Sequence, residues 1–328
     1  MKPTASVSFD IDNQWSYMKT HGDAGWESFP SYLDILLPRV VDFFAARDLK
    51  ITFMVVGQDA ALEKNHESLR LLATAGHEIG NHSFNHEPWL HRYTPEAIRD
   101  ELSRAEDAID RATGVRPQGF RGPGFSVSTE ILRTLAERGY VYDASTFPTY
   151  IGPLARAYYF MKSSGMSKDD QEKRKELFGS MRDGLRPLKP YLWDIQPSQM
   201  LEIPVTTLPG IKAPFHLSYI LYLSSISTIL AQKYFETAMV ACRTTGTEPS
   251  LLLHPLDFLG KDDVKCLEFF PGMQLEGAIK RERVSEYLRV MGEIFDICPM
   301  REHARRLRER GSLRVRHPDF PPPKPLDS

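Results

Sequence analysis

Apolar and polar positions along the chain fall into short blocks whose period switches repeatedly between strand and helix. Ala5 to Phe9 is strand-like and turns acidic at Asp10 and Asp12. Leu33, Leu36, Val40, Phe43 and Phe44 recur at helical spacing, and Ile51–Val56 is a continuous apolar run, as in a strand buried on both faces. A helix is expected over about 59–75. Thr94-Pro95 supplies an N-cap and a first-turn proline for the next helix, and Gly114 ends it. Gln118–Arg121 reads as a short strand, Ser128 caps a helix running to Gly139, and Tyr140–Tyr142 is strand-like again. Pro153 to Pro197, charged and aromatic, breaks the rhythm and is read as an inserted helical segment or lid. Leu201–Val205 resumes the sheet, Leu251–His254 is a buried strand, and a final long helix covers about 278–297.

Strand and helix alternating in this way predict an α/β protein with a parallel sheet and helices outside. At 328 residues, closure into one barrel is the expected form, with chemistry at the C-terminal ends of its strands. Residues 1–300 are assigned to the barrel, and 301–328 to a basic helix and a disordered, proline-rich tail.

Composition narrows the partners. A formal net charge of -2 gives no electrostatic reason to expect nucleic acid. Three scattered cysteines argue for a reduced compartment and against a disulfide framework. No basic leader precedes the first strand, so a cytoplasmic protein is expected, or one peripheral at the cytosolic membrane face. For the latter, the apolar stretch Ile211–Leu230 and the basic row Arg301, Arg305, Arg306, Arg308 and Arg310 both suit contact with the inner surface of a membrane, although core packing and solvation are the commoner explanations.

The candidate chemistry sits at predicted strand ends. His82 and His86 are four residues apart, which on one helical turn sets both imidazoles on the same face, the start of a metal site. Gly80 before them suits a strand ending in a tight turn. Asp10 and Asp12, two apart, face one side of an extended chain. A barrel brings these to one mouth with Arg121 and His254. Asp12, His82 and His86 then hold a divalent ion and leave positions for water and substrate. Asp10 is the general base, Arg121 orients it, and His254 is the general acid that protonates a departing amine.

Phe9-Asp-Ile-Asp, Gly76-His-Glu-Ile-Gly-Asn-His-Ser-Phe-Asn-His, Phe120-Arg-Gly-Pro-Gly-Phe and Leu252-Leu-His-Pro resemble the successive motifs of the polysaccharide deacetylase family, carbohydrate esterase family four with its NodB-type homology domain. Tyr142-Asp-Ala-Ser-Thr-Phe-Pro and Glu202-Ile-Pro-Val are similar to the branch found with bacterial exopolysaccharide systems. The resemblance covers about 5–150 well and 200–300 loosely. It implies a distorted (β/α) barrel of about seven strands and a zinc-type ion on Asp12, His82 and His86, with cobalt, nickel or iron also suited to the donors. It also implies Asp10 as base and His254 as acid in N-deacetylation of an amino sugar of a cell-surface glycan; the expected lack of an export signal favours a lipid-linked precursor of one, deacetylated or deformylated at the same site. The family's first motif has adjacent aspartates followed by glycine, whereas here Ile11 separates them and Asn13 follows, which leaves open which aspartate binds metal. Asp143, Asp194 and Asp257 are all candidates for the carboxylate that tunes His254. An amidohydrolase of a small soluble amide or cyclic ureide is the alternative activity. A barrel that merely binds a metal needs neither Asp10 nor His254. Acyl group, sugar, metal and oligomeric state are not specified by the residues.

Overall fold

A computed structural model describes residues 2–150 and 183–320. Ten strands lie in one sheet: β1 Thr4–Asp10, β2 Thr52–Val55, β3 Glu78–Asn81, β4 Gly119–Phe120, β5 Tyr142–Asp143, β6 Tyr191–Asp194, β7 Gln199–Glu202, β8 Ser250–Leu253, β9 Asp296–Cys298 and β10 Arg314–Arg316. The helices are α1 Gln14–His21, α2 Leu33–Ala45, α3 Gly57–Ala61, α4 His66–Thr74, α5 Pro95–Thr113, α6 Thr129–Glu137, α7 Leu217–Ile226, α8 Thr228–Thr245, α9 Gly277–Ile294 and α10 Met300–Arg310.

Spatial order is β10-β6-β7-β5-β4-β3-β2-β1-β8, with β9 beside β1. Every pairing is parallel except β6 with β7. The sheet curls until the chain after β7 meets β8. There the Thr206 amide donates to the Ser250 carbonyl at 3.1 Å, and the Ser250 amide donates to the Thr206 hydroxyl at 2.8 Å. The seven strands β1–β5, β7 and β8 thus form a distorted (β/α) barrel joined at one seam by irregular backbone.

β1, β2 and β8 are buried at every position, β1 even at its polar Ser6 and Ser8. β2 is buried at all four positions, consistent with helices outside it and a filled barrel within. α5 has the capping anticipated: the Thr94 hydroxyl accepts from the Ala97 amide at 3.2 Å, and Gly114 sits at φ 75°. Its face of Ile98, Leu102, Ala105, Ile109 and Ala112 is buried. α3 approaches so closely that a Cβ at Gly57 would lie 2.7 Å from the Ala105 Cα. The floor of the barrel is apolar, with Met54, Tyr142, Leu201, Met300 and Leu307 in one cluster. Among the described helices, none is long and apolar enough to cross a membrane.

Four expectations change. The helix over 59–75 is two pieces, α3 and α4, because the chain leaves helical geometry at Leu62, φ -91° and ψ 114°. Gly80 is not at a turn but inside β3. A Cβ there would meet the Met54 sulfur at 2.4 Å, so the position keeps β3 tight against a filled barrel interior. Of the expected insertion, 153–182 lies outside the described residues, whereas Tyr191–Asp194 is strand β6 and pairs antiparallel with β7. The C-terminal segment is not an appendage: α10 packs His303, Ala304 and Leu307 into the barrel floor, and β10 extends the sheet beside β6. The stretch from Pro321 onward lies outside the described residues.

Candidate active site

Register determines which residues share the mouth. The last pairs of neighbouring strands include Phe9–Leu253, Val55–Asn81, Asn81–Phe120 and Phe120–Asp143. One residue further on come Asp10, His254, His82 and Arg121, so four separate stretches of sequence deliver their chemistry to one rim. This is the C-terminal end of the strands, where a parallel barrel leaves free backbone ends and loops.

One of the sequence expectations about this rim is corrected by local geometry. His82 and His86 are not on a helical turn; they lie in an irregular loop after β3, with Ser83 at φ 60° and His86 at φ 53°. Such left-handed backbone is disfavoured for side-chain-bearing residues and must be held from outside. Buried Glu101 of α5 does so: it accepts from the amides of Phe84 at 3.0 Å and Asn85 at 2.6 Å, and from the Asn85 side chain at 2.7 Å. The Asn81 side chain adds a bond to the Ser83 amide at 2.8 Å. Arg121, for its part, does not grip a carboxylate with both nitrogens. Its side chain is completely buried and runs down into the barrel, where Nη1 reaches both Asp10 Oδ1 at 2.6 Å and the Ser8 hydroxyl at 2.9 Å. Its Nε donates to the Ala144 carbonyl at 3.0 Å.

Asp12, His82 and His86 offer three donor atoms that all lie within 4.8 Å of one another. Asp12 Oδ1 is 3.0 Å from His86 Nε2 and 3.4 Å from His82 Nε2. His82 Nδ1 donates to the Arg121 carbonyl at 2.7 Å, which leaves Nε2 as the lone-pair nitrogen facing Asp12. Burial disfavours the Asp12 carboxylate, yet His86 and His82 beside it hold its carboxyl well below the usual range. Burial likewise opposes charging His82, but Asp10 and then Asp12 raise its pKa. Two imidazoles and a carboxylate concentrated in this way, with one histidine's second nitrogen already oriented by a carbonyl, fit a divalent transition ion and leave coordination positions open. Asp10, committed to Arg121 and 3.9 Å from His82, is the aspartate left over.

The loop bearing Asp12 is itself clamped. Asn13 caps α1 through the Gln14 amide at 2.8 Å and donates to Asp59 at 2.6 Å. The Trp15 indole N–H also reaches Asp59, at 2.9 Å, and its ring meets His86 edge-on at 6.4 Å. Burial pushes the Asp59 carboxyl up to about 7 despite these two donors. The Tyr32 hydroxyl donates to the Asp12 carbonyl.

Across the rim, His254 Nδ1 is 3.2 Å from the Ser218 hydroxyl, and its backbone amide donates to Asp257 at 2.8 Å. Of the three candidate carboxylates, Asp257 is therefore the one beside His254. Asp143 is bonded to the Ser145 hydroxyl at 2.5 Å, and Asp194 faces His317 at 3.2 Å. Burial raises the Asp257 carboxyl, opposed first by His254. Beneath this loop the buried Lys280 ammonium bonds to the carbonyls of Leu256 at 2.7 Å and Leu259 at 2.8 Å, and burial brings its pKa down to about 8. Sequence reasoning had not named Ser218, Glu101, Asp59 or Lys280. Each is an ordinary polar residue on a helix or loop, and only contact across the fold gives it a role.

An Asp-His-His donor set, an arginine-bound aspartate and a further histidine at the strand ends of one barrel are groups suited to holding a divalent ion beside an acid and a base. The family model for polysaccharide deacetylase matches residues 23–142, a stretch that contains His82, His86 and Arg121 but not Asp10, Asp12 or His254. Over that region the chain is similar to the polysaccharide deacetylase family. It is 27% identical over 104 residues to a peptidoglycan-N-acetylglucosamine deacetylase of Bacillus cereus, a match covering 32% of this chain and 37% of that protein. A peptidoglycan deacetylase of Helicobacter pylori is 27% identical over 137 residues, 42% of this chain and 44% of its own. The chain thus spans less than half the length of these relatives. A crystal structure from Mycobacterium smegmatis bearing the polysaccharide deacetylase designation superposes with a TM-score of 0.63 at 20% identity, over 99% of this chain and 96% of that one. That likeness extends the fold beyond the matched region to both ends of the barrel.

Proposed function

We propose that this chain is a metal-dependent hydrolase that removes an N-acyl group, acetyl first and formyl second, from an amino sugar. The observation that carries the reading is that the Asp12–His82–His86 donor set, the Asp10–Arg121 pair and His254 all lie at the strand ends of a single barrel mouth. The activities for which the two relatives are named, deacetylation of peptidoglycan and of its N-acetylglucosamine, support the choice of bond and substrate.

A divalent ion held by Asp12, His82 and His86, zinc by preference for this donor set, supplies Lewis acidity toward a carbonyl oxygen and toward water. Asp10 takes the proton from the attacking water; its other carboxylate oxygen is anchored by Arg121, which sets its orientation. At the neighbouring strand end His254 donates a proton to the departing nitrogen, with Ser218 on Nδ1 leaving Nε2 for that role.

The sugar is read as part of a cell-surface glycan or a lipid-linked precursor. Ile211, Ile226, Ile229 and Leu230 are exposed on and beside α7, the helix that also carries Ser218, which favours a substrate with an apolar anchor. The basic helix gives no support to that choice. α10 contacts the first residues of β1–β3 at the far end of the barrel, and its Arg305, Arg306 and Arg310 are paired with Glu302, Asp296 and Glu248.

The test is mass spectrometry of N-acetylglucosamine oligomers and lipid-linked amino sugars after incubation with the zinc-loaded protein and with Asp10→Asn. Loss of an acyl mass with the wild type and not with the variant is expected. Hydrolysis of soluble amides or ureides with neither sugar pool altered would overturn the substrate assignment.

A further inference from the structure

The chain beyond β5 cradles the arginine of the mouth. The Ala144 carbonyl accepts from Arg121 Nε at 3.0 Å, and the Ser145 hydroxyl accepts from the Gly122 amide at 2.8 Å. Arg121 Nη1 carries this hold onward to Asp10, at 2.6 Å. What fixes the cradle is an acid pair with no part in the chemistry above. Asp143 and Glu202 are register partners on the neighbouring parallel strands β5 and β7, and both are 0% exposed. Paired in this way, their side chains leave the sheet on the same face, side by side. Glu202 Oε1 accepts from the Thr146 hydroxyl at 2.7 Å and the Thr146 amide at 3.1 Å, and Oε2 accepts from the Trp193 indole at 3.1 Å. Asp143 Oδ1 accepts from the Ser145 hydroxyl at 2.5 Å, whereas Oδ2 is sealed from solvent without a donor. Among the described residues no cation forms an ion pair with either acid. Two ionised carboxylates this close repel, and a buried carboxylate oxygen without a donor is costly. One proton on the pair removes both difficulties: a protonated Glu202 becomes a donor, with Asp143 Oδ2 the open acceptor beside it. Burial raises both carboxyls; Asp143 raises Glu202 further, whereas the bond from Glu202 lowers Asp143, so the proton resides on Glu202. Facing Glu202 from the other side is its β6 partner Tyr191, whose phenol is pushed up by burial and then by Glu202, and so stays neutral.

We propose that Asp143 and Glu202 share one proton and are positioning residues for Arg121, holding residues 144–146 so that the guanidinium keeps Asp10 aligned. The inference rests on the reading of Asp10 as the base of an amide-cleaving site. Glu202 anchors the cradle at Thr146 and Asp143 anchors it at Ser145, so the bond between the two acids closes the frame.

The experiment compares wild type with Asp143→Asn, whose amide supplies an N–H in place of the proton, and with Glu202→Leu, which removes the partner. Unfolding by denaturant across pH comes first. With the Glu202 carboxyl raised in the folded protein, the stabilisation by the proton is whole below about pH 4.5 and is lost as pH rises toward the raised value. Wild-type stability should therefore fall relative to Asp143→Asn as pH rises above about 4.5, and parallel curves would overturn the shared proton. Positioning is read from the Arg121 Nε–H resonance of 15N-labelled protein, which should be kept in Asp143→Asn and shifted in Glu202→Leu. An unmoved resonance in Glu202→Leu would overturn the positioning role with no turnover measured. In the zinc-loaded proteins, Glu202→Leu should lower kcat about 100-fold at unchanged KM, on an N-acetylglucosamine oligomer and an aryl acetate alike, because the base serves both. Asp143→Asn should retain most of the rate. Full activity of Glu202→Leu, or equal losses in the two variants, would also overturn the proposal. The expected unfolding and resonance results without turnover by wild type would support the pair and defeat the deacylase reading.

Discussion

Two histidines with a serine and a carboxylate nearby stand at opposite ends of this barrel. At the mouth, His254 has Ser218 on Nδ1 and Asp257 bonded to its backbone amide, and its Nε2 has no partner among the described residues. At the floor, His303 of α10 has the Ser6 hydroxyl on Nδ1 at 3.0 Å and Glu248 on Nε2 at 3.3 Å, and it is 0% exposed. The residue types match, and the second arrangement even has the composition of a serine-histidine-acid relay. Its polar valences are filled and no cleft reaches it, so it braces α10 against β1. Reactivity is marked by what is left unpaired at an accessible strand end, not by the list of residue types.

Breaking the metal-type half of the mouth should have the largest effect. Removal of the ion by a chelator, or His86→Ala, should abolish amide hydrolysis; calorimetric titration with zinc should show the affinity lost in the variant, and zinc should restore activity only to the chelated wild type. Next comes the acid. His254→Ala should lower amide hydrolysis roughly 100- to 10,000-fold while an aryl acetate, which needs no leaving-group protonation, is hydrolysed nearly as before. A parallel loss on both substrates would remove His254 from the acid role. The matching change at the floor should be the smallest in activity. Glu248→Gln should leave kcat/KM unchanged and reduce stability by roughly 2 kcal/mol, read by denaturant unfolding at neutral pH.

The floor also carries a pH signature. Burial works against the Glu248 carboxylate, but hydrogen bonds from His303 and Arg310 bring its pKa from 4.5 down to about 2. With the folded value depressed, its stabilisation is complete above about pH 4.5 and is lost as pH falls toward about 2. Unfolding curves of wild type and Glu248→Gln should therefore converge across that window. If they stay parallel, the floor cluster is not the ion-paired brace described here.

Much of the site was legible from local pattern. Asp10, His82, Arg121 and His254 each fall at the end of a short strand, and a parallel barrel gathers such positions whatever their separation in sequence. The Asp12–His82–His86 set could be named as metal donors for the same reason. Less legible was how they are held. A spacing of four residues suggested a helical turn for His82 and His86, whereas the chain takes left-handed backbone there because Glu101, on another element, satisfies the freed amides.

Strand and helix period, capping residues and the donor types at strand ends were thus determined by the sequence itself, since each depends on neighbours within a few positions. Tertiary structure alone bonds Asp10 to Arg121 and leaves Asp12 against the two histidines, and of three carboxylates it places Asp257 beside His254. It also decided that Tyr191–Asp194 and Arg314–Arg316 are strands, because each acquires its identity from a partner far along the chain. Asp143 and Glu202 belong with these: two acids far apart in sequence become a pair only where β5 and β7 set them side by side and bury them.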